Sequence, residues 1–416
     1  MPSSSTSRHS FRDHHTIFRW LGNAFPPCAG KPPNPKPDPK PTPEPTFKGQ
    51  GDIFLDFNDL STMFVDYSGN TPVTRVGQPV QLVLSKDQNL EEGEDIFAPQ
   101  DFTNAEGWIG DFVAFEQARN GLTAIMSELV DNGRVRRSFK VTPWKWYKLT
   151  MDLSMELGFA EIAETVDGIA RWYFSPASGK QQIIFYATRE DYVLSLRPTT
   201  TTVASAFENL KCVELKGNHM IQEEQFVGSL EYDTENERYY LMCKMSWYTS
   251  HQMKVTSPFL TFGVAYSDYP YVDGEGYLLH YHDRNILHPS NVCLNSSGTT
   301  RSSVELAVFE DGYPAETTSI VYNGGQDKTA VGEFSLLGED SSMTLTVNGK
   351  HSSVATIEPL RSATIEPFVQ VGRFGNEEKY FKGNLYMVIV QNRIGNQTER
   401  DNLNKYLLEV MGKRIT

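Results

Sequence analysis

Residues 365–412 read IEPFVQVGRFGNEEKYFKGNLYMVIVQNRIGNQTERDNLNKYLLEVMG and predict the end of a β-domain closed by a helix. Two strand-like runs come first, at 368–372 and 385–390. The apolar period then changes, and four residues at i, i+3, i+4 and i+7 define one face of a helix: Leu403, Tyr406, Leu407 and Val410. Thr398 is the predicted N-cap, with Asp401 three residues on, and Gly412 is the predicted C-cap.

The motif Y-F-K-G-x-L-Y-M-V-I-V-x-N-R at 380–393, followed by T-E-R-x-x-L-x-x-Y-L at 398–407, resembles the C-terminus of concanavalin-like (laminin-G-like) lectin domains. It is particularly similar to those of bacteriophage tail and other virion proteins. Residues 59–88, DLSTMFVDYSGNTPVTRVGQPVQLVLSKDQ, look like a segment common at the start of that domain. The resemblance implies a lectin-like sandwich built from residues 47–86 and 217–416.

The intervening residues 94–216 resemble jelly-roll carbohydrate-binding modules. DFTNAEGW at 101–108 is similar to their opening, and VTPWKWYKLTMDL at 141–153 to a central strand. FENLKCVEL at 207–215 matches their closing strand loosely. The sequence therefore predicts an all-β protein in which a jelly roll is inserted into a lectin-like β-sandwich, after an extended Pro-rich N-terminal arm and with a short C-terminal helix.

Residues 1–30 are predicted to be an anchoring arm and residues 31–46 a Pro-rich linker. Alternating prolines favour a polyproline II rod of about 3.1 Å per residue, about 40 Å in all. Four apolar residues of the arm are predicted to dock on another virion protein: Phe18, Trp20, Leu21 and Phe25. The alternative is a disordered tail with an incidental aromatic cluster.

The composition of the chain limits the classes of partner that it is expected to bind. With 38 Lys and Arg against 52 Asp and Glu, the net charge of −14 argues against nucleic acid and anionic membranes. No apolar run is long enough to span a bilayer, and no secretion signal is evident, so synthesis in a host cytoplasm and exposure on a particle are expected. The four cysteines lack a CxxC or zinc pattern and are expected to be buried thiols.

Sugar modules hold pyranose rings by stacking them on exposed aromatic side chains. The predicted carbohydrate-binding residues are aromatic residues of the jelly roll: Trp144, Trp146, Trp172 and Tyr173. Trp144 and Trp146 are two apart, which predicts one shared strand face with Tyr147 on the other. Half of these aromatic residues must pack in the core, and Trp108 is expected there.

The sequence singles out no catalytic residue and no metal site. His280 and His282 share a strand face, which fits either a weak metal site or two exposed histidines. Calcium could bind loop residues such as Asp273, Asp311, Glu339 and Asp340, although no motif supports it and each also fits a solvated turn. No metalloprotease, nucleophile-elbow, phosphate-loop or dinucleotide motif is present, and no acidic pair of a glycosidase stands out.

The leading hypothesis is a noncatalytic phage virion protein, of a tail fibre, tail appendage or capsid decoration. Its expected partners are other virion proteins, through the arm, and host surface polysaccharide. We expect a homo-oligomer, specifically a trimer, because such proteins are often trimeric. We expect neither nucleic-acid binding nor membrane insertion. The alternatives are a polysaccharide depolymerase or glycosidase, and a structural decoration or adaptor protein that binds no sugar.

Overall fold

A computed structural model gives the fold. It describes residues 45, 52–97, 107–118, 121–127, 133–155, 158–163, 170–174, 178–199, 201, 204–222, 228–243, 248–250, 259–268, 276–283, 290–297, 303–310, 313–321, 327–335, 342–355, 367–372, 380–391, 393 and 396–412. The predicted arm and nearly all of the Pro-rich linker lie outside these residues. The described residues all belong to one compact unit, Lys40–Thr416.

Alternating apolar residues form strands along most of the described chain, and the only α-helix within these residues lies at the C-terminal end. The first strands are β1 (Ile53–Asp56), β2 (Met63–Phe64), β3 (Pro79–Val80) and β4 (Leu82–Val83). The middle strands are β5 (Glu92–Asp95), β6 (Ile109–Asp111), β7 (Val113–Ala118), β8 (Gly121–Met126), β9 (Arg134–Lys140), β10 (Lys145–Ser154), β11 (Gly158–Ala163), β12 (Ala170–Phe174), β13 (Ser178–Ala187), β14 (Asp191–Pro198) and β15 (Ser205–Leu215).

The remaining strands are β16 (Met220–Ile221), β17 (Gly228–Asp233), β18 (Arg238–Cys243), β19 (Tyr248–Ser250), β20 (Phe259–Asp268), β21 (Gly276–Asp283), β22 (Ser290–Ser297), β23 (Ser303–Glu310), β24 (Tyr313–Val321), β25 (Asp327–Ser335), β26 (Ser342–Val347), β27 (Lys350–Ala355), β28 (Pro367–Val371) and β29 (Gly383–Gln391). Helix α1 (Gln397–Val410) follows them.

The strands form four antiparallel sheets, which confirms the all-β prediction. Sheet 1 has the order β27-β26-β25-β20-β29-β18-β17-β3, with β1 also paired to β29, and sheet 2 has β2-β4-β16-β19-β28-β21-β22-β23-β24. Both draw strands from the two ends of the described chain, and we call them together the split sandwich. The middle strands form sheet 3, β13-β10-β15-β8-β7 with β5 beside β15, and sheet 4, β12-β11-β14-β9-β6. We call these the inserted sandwich.

Each sandwich has its own apolar core. The core of the split sandwich contains Phe57, Phe262, Tyr266 and Phe381, all at most 1% exposed. The core of the inserted sandwich contains Trp108 as predicted, packed on Phe207 at 5.0 Å between ring centroids. An insertion fits here because β1 pairs with β29, so the first and last strands of the split sandwich lie side by side. The exact domain boundaries stay predictions.

Helix α1 covers the outer side of sheet 1. Its four predicted apolar residues are all buried, as the periodicity indicated. They pack with Phe54, Tyr386 and Ile389 of β1 and β29. The predicted N-cap is wrong: Asn396, not Thr398, caps the helix, because its side chain accepts from the Glu399 amide while Glu399 accepts from the Asn396 amide. Gly412 follows the helix with a left-handed φ of 69°.

Within the described part of the chain, no helix combines the length and the apolar character needed to cross a bilayer.

Candidate functional site

The two sandwiches meet in a shared apolar cluster, which we call the seam. The split sandwich contributes Phe64, Leu82, Leu84 and Ile221, and the inserted sandwich contributes Trp146, Ile184, Tyr186 and Leu215. Contact between the sandwiches removes these apolar side chains from water. Each Å² of apolar surface buried in this way stabilises the contact by about 25 cal/mol. The seam therefore holds the inserted sandwich against the split sandwich instead of leaving it on two flexible connections.

Polar groups join the two connections at the seam. His219 is fully buried, and its Nδ1 accepts from the Ser85 amide at 2.9 Å. Asp87 accepts from the Asn218 amide at 3.3 Å, while the Asn218 side chain donates to the Asp52 carbonyl at 2.8 Å. Burial lowers the pKa of His219 to about 3, opposed by the Leu215 carbonyl. Burial also raises the pKa of Asp87 to about 6, with hydrogen bonds from Ser85 and Asn218 opposing the rise.

Trp144 lies at the solvent-facing end of the seam. It precedes β10 and is 58% exposed, with a left-handed φ of 65°. Its amide donates to the Ala187 carbonyl at 2.7 Å, and its ring lies 6.4 Å from that of Tyr186. A left-handed conformation strains a bulky residue and an exposed indole gains little by folding. Neither feature stabilises the fold.

Trp146 differs from the sequence expectation. Both tryptophan rings lie beside that of Tyr186, as one shared face predicts, but Trp144 is exposed and Trp146 is buried. Trp146 is 4% exposed in the seam, with its ring 5.5 Å from Tyr186 and 5.3 Å from His219. Tyr147 packs in the core of the inserted sandwich, on the opposite face as expected. Because Trp146 has no free ring face, its packing role replaces the predicted contact with a sugar.

The other predicted site residues remain predictions. Trp172 and Tyr173 lie in β12, where the register pairs them with Ile162 and Glu161, and their side chains lie outside the described set. The arm residues, the loop acids considered for calcium and the side chains of His280 and His282 also lie outside it: Phe18, Trp20, Leu21, Phe25, Asp273, Asp311, Glu339 and Asp340.

A polar row on sheet 4 was not predicted. Directly paired positions run across four strands: Glu161 with Ser195, Ser195 with Arg136, and Arg136 with Ile109. Glu161 and Ser195 are 4% and 1% exposed although their strand neighbours Ile162 and Leu194 fill the core. The Arg197 Nε donates to Glu161 at 2.6 Å. Alternation in FAEIA, residues 159–163, would have revealed Glu161 as facing away from the core.

A second carboxylate lies at the edge of this face. Arg136 Nε donates to Asp111 at 2.8 Å, and Arg134 Nε approaches the same oxygen at 3.3 Å. Beside them Ile109 and Phe112 are 54% and 55% exposed. This face of sheet 4 thus combines arginine–carboxylate pairs with two exposed apolar residues at its edge.

Metal and thiol chemistry find no support in the described residues. Across those ranges, no three His, Cys, Asp or Glu side chains are gathered closely enough to hold a metal ion. Cys212 and Cys243 are buried thiols. Burial raises the pKa of the Cys212 thiol well above its usual range, with Asp95 adding to the rise. A thiol in this state is a poor nucleophile, so Cys212 has a packing role.

Comparisons with known proteins give distant structural likenesses alone. No family model and no curated protein matches the chain. The chain is similar to a heptameric SAP-like pentraxin of Limulus polyphemus, with 14% identity and a TM-score of 0.30 over 38% of this chain and 75% of that one. It is similar to the N-terminal tandem CBM22 domains of a Paenibacillus barcinonensis protein, with 9% identity and a TM-score of 0.26 over 73% and 98%.

An arabinofuranosidase complexed with arabinofuranosyl-alpha-1,2-xylobiose is a further structural neighbour, with 11% identity and a TM-score of 0.33 over 66% of this chain and 63% of that one. The chain therefore spans less than two thirds of that protein's length. Likenesses at these TM-scores carry no argument about activity. The fold class rests on the strand pairing, and the function on the surfaces described above.

Proposed function

We propose that this protein is a noncatalytic virion component that binds surface glycans through Trp144 of its inserted sandwich. The observation that carries the sugar-binding proposal is the 58% exposed indole of Trp144, whose ring lies 6.4 Å from that of Tyr186 at the end of the seam. An exposed indole suits stacking against the apolar face of a pyranose. The virion assignment rests on the sequence resemblance of residues 59–88 and 380–407.

Weak stacking at one tryptophan suits a displayed, repeated protein. Several copies on one particle convert a poor single-site affinity into avidity. In this proposal residues 1–30 anchor the chain, residues 31–46 space it from the particle, and the oligomer presents several copies of Trp144. The negative net charge keeps the displayed surface from binding nucleic acid nonspecifically.

Catalysis is the second candidate, but the two carboxylates of sheet 4 do not have the spacing of a glycosidase pair. Glycosidases hold two carboxylates about 5 Å or about 6.5–9.5 Å apart. Glu161 and Asp111 lie on β11 and β6, three strands apart in the sheet, which corresponds to about 14 Å. Each is also held by arginine, Glu161 by Arg197 and Asp111 by Arg136. Release of new reducing ends from a bacterial polysaccharide by the purified chain would overturn the noncatalytic proposal.

The binding test uses the full-length chain on an array of bacterial capsule, lipopolysaccharide O-chain and peptidoglycan fragments. Trp144→Ala should lower the affinity for the retained glycan at least about tenfold, or about 1.4 kcal/mol. Val76→Ala is the control, because Val76 is also apolar and exposed, at 45%, but lies in the split sandwich outside the seam. Unchanged binding by Trp144→Ala, or no glycan bound by the unmodified chain, contradicts the proposal.

The virion assignment has a separate test. Mass spectrometry of density-purified phage particles from cells that produce the chain should find it in a fixed ratio to the major capsid protein. Its removal by truncation of residues 1–30 would support anchoring by the arm. Recovery of the full-length chain only in the soluble fraction would contradict the assignment and leave a soluble lectin.

A further inference from the structure

Arg137 of β9 is stacked on the rings of two buried aromatic residues. Its guanidinium carbon lies 5.5 Å from the ring centroid of Phe97 and 5.9 Å from that of Trp108. Strand β6 pairs with β9 so that Ile109 is opposite Arg136, and Trp108 directly precedes Ile109. Phe97 and Trp108 are 3% and 6% exposed, whereas Arg137 is only partly buried. The two rings therefore hold the guanidinium at the boundary between the core of the inserted sandwich and solvent.

Arg137 differs from the other arginines of its strand in its hydrogen bonding. Arg134 and Arg136 both donate to Asp111, at 3.3 and 2.8 Å. Arg137 makes no hydrogen bond or ion pair with any residue that the structure describes. Partial burial lowers the pKa of Arg137, and no carboxylate opposes that lowering. Removing a guanidinium from water without an acceptor costs free energy, and an acceptor on a ligand would offset this cost.

Gly107 lies beside the two guanidinium nitrogens that form a side-on pair of donors. A Cβ at this position would lie 3.6 Å from Nε and 3.9 Å from Nη2 of Arg137. Because residue 107 is glycine, with a left-handed φ of 83°, it places no side chain over these two nitrogens. The indole Nε1 of the adjacent Trp108 is a buried donor that also has no partner within the described part of the chain. Two neighbouring side chains thus have donors without acceptors from these residues.

The local charge along β9 suits a single anion although the whole chain is acidic. The strand carries four cations, Arg134, Arg136, Arg137 and Lys140, and their described ion-pair partners are three carboxylates: Asp111, Glu190 and Asp191. Arg137 therefore supplies a positive charge that these pairs do not neutralise. Salt screens charges more than about 8 Å away at physiological ionic strength, so distant carboxylates weaken the attraction little. The net charge of −14 still disfavours a dense polyanion.

We infer that Arg137 recognises the carboxylate of an acidic sugar, so that the glycan bound by the inserted sandwich contains uronic acid. This inference rests on the proposed function. A stacked guanidinium is a preoriented planar fork that binds a carboxylate through two hydrogen bonds. Phe97 and Trp108 are too buried to stack on a sugar, and they hold the guanidinium in place. Among the described residues no contact joins Arg137 to Trp144, so the two are separate positions on the inserted sandwich.

The test compares acidic trisaccharides with their methyl esters by calorimetry on the full-length chain. The probes are trisaccharides of galacturonate and of glucuronate. At least one acid should bind about tenfold or more tightly than its ester, because esterification removes the charge and keeps the ring. Arg137→Gln should abolish this preference. Arg134→Gln removes a cation from the same strand while Arg136 still holds Asp111, and it should keep the preference.

The outcomes separate this inference from the proposed function. Equal affinities for the acids and their esters, or no binding of either acid, overturn carboxylate recognition, and this result needs no variant to fold. The glycan-binding function then stands if the array retains a neutral glycan that Trp144→Ala loses, and falls if the array retains none. A preference that survives in Arg137→Gln, or that falls equally in Arg134→Gln, overturns the assignment to Arg137. Acetate bound as tightly as the trisaccharides overturns the assignment of the ligand as a sugar.

Discussion

Protonation of Asp87, at the seam, makes the stability of the folded chain depend on pH. Because burial raises its pKa from 3.8 to about 6, the folded chain retains a proton that the unfolded chain has lost. Stability therefore falls as pH rises from about 4 to about 6 and then levels off. His219 acts oppositely: its pKa is lowered from 6.5 to about 3, so its contribution is lost as pH falls through that interval.

Asp87→Asn should abolish the fall in stability between pH 4 and pH 6 that Asp87 causes. The loss of stability at low pH that His219 causes should remain. Each pKa unit corresponds to about 1.4 kcal/mol, so between pH 4 and 7 the variant should gain up to about 3 kcal/mol of unfolding free energy relative to wild type. Urea titrations at several pH values measure this difference. Asp191→Asn changes a carboxylate at 71% side-chain exposure and should follow wild type. A difference between Asp87→Asn and wild type that does not vary with pH would contradict the assignment.

Glu161 and Arg197 form an ion pair whose carboxylate side chain is only 5% exposed. Replacing one member leaves the other buried without its counter-charge. Glu161→Gln should lower the free energy of unfolding by about 1–3 kcal/mol, since Arg197 is itself partly exposed. The exposed pair of Lys140 and Glu190, at 2.7 Å, is the control, and Glu190→Gln should cost less than about 0.5 kcal/mol. Equal losses in urea denaturation would show that the sheet 4 pair has no special role.

At the scale of elements, α1 depends on packing rather than on its own length. Leu407 is fully buried, and the Cβ position at Gly263 of β20 lies only 2.8 Å from its Cδ1, so the helix rests directly on a strand without a side chain there. Leu407→Ala should lower the free energy of unfolding by about 2–5 kcal/mol. Lys405→Ala, on the exposed side of the helix, should stay within about 0.5 kcal/mol. Hydrogen exchange of α1 amides would report the loosened docking directly, and unaltered protection would contradict it.

The sequence predicts the features that depend on residues close together in the chain, and it does not predict those that depend on residues far apart in the chain. The buried stripe of α1 was predictable because period and burial are local, but the N-cap was not. Asn396–Glu399 and Thr398–Asp401 offer equivalent patterns, and only the extended backbone of Asn396 decides between them. Strand β22, SNVCLNSS, is mostly polar, and it forms because β21 and β23 present hydrogen-bonding edges on both sides.

The candidate site was predictable only in part for the same reason. Trp144 stands out as an aromatic residue, but its exposure, 58% against 4% for Trp146, is a property of the folded structure. The hydrogen bonds of Ser68 and Gly69 with Ile184 and Gln182 join segments more than a hundred residues apart. No sequence period records such contacts, so the seam emerges only from the tertiary structure.

For the whole molecule, the seam makes one cooperative body of two cores. The inserted sandwich is connected to the split sandwich at two chain positions, and those connections alone would let each sandwich unfold at its own temperature. Trp146 lies at the centre of the shared cluster, between Tyr186 and His219. The unmodified chain should therefore unfold in a single calorimetric transition.

Trp146→Ala should separate the two sandwiches. Loss of a buried tryptophan costs about 3–5 kcal/mol, and here the loss falls on the contact between the cores rather than on either core. We expect the calorimetric transition to split in two, with lower protection of β13 amides from hydrogen exchange. Trp144→Ala removes an indole of the same size from the exposed end of the seam and should keep one transition. A single transition shifted to lower temperature in Trp146→Ala would mean that the hydrogen bonds of Ser85, Asn218 and His219 suffice to couple the sandwiches.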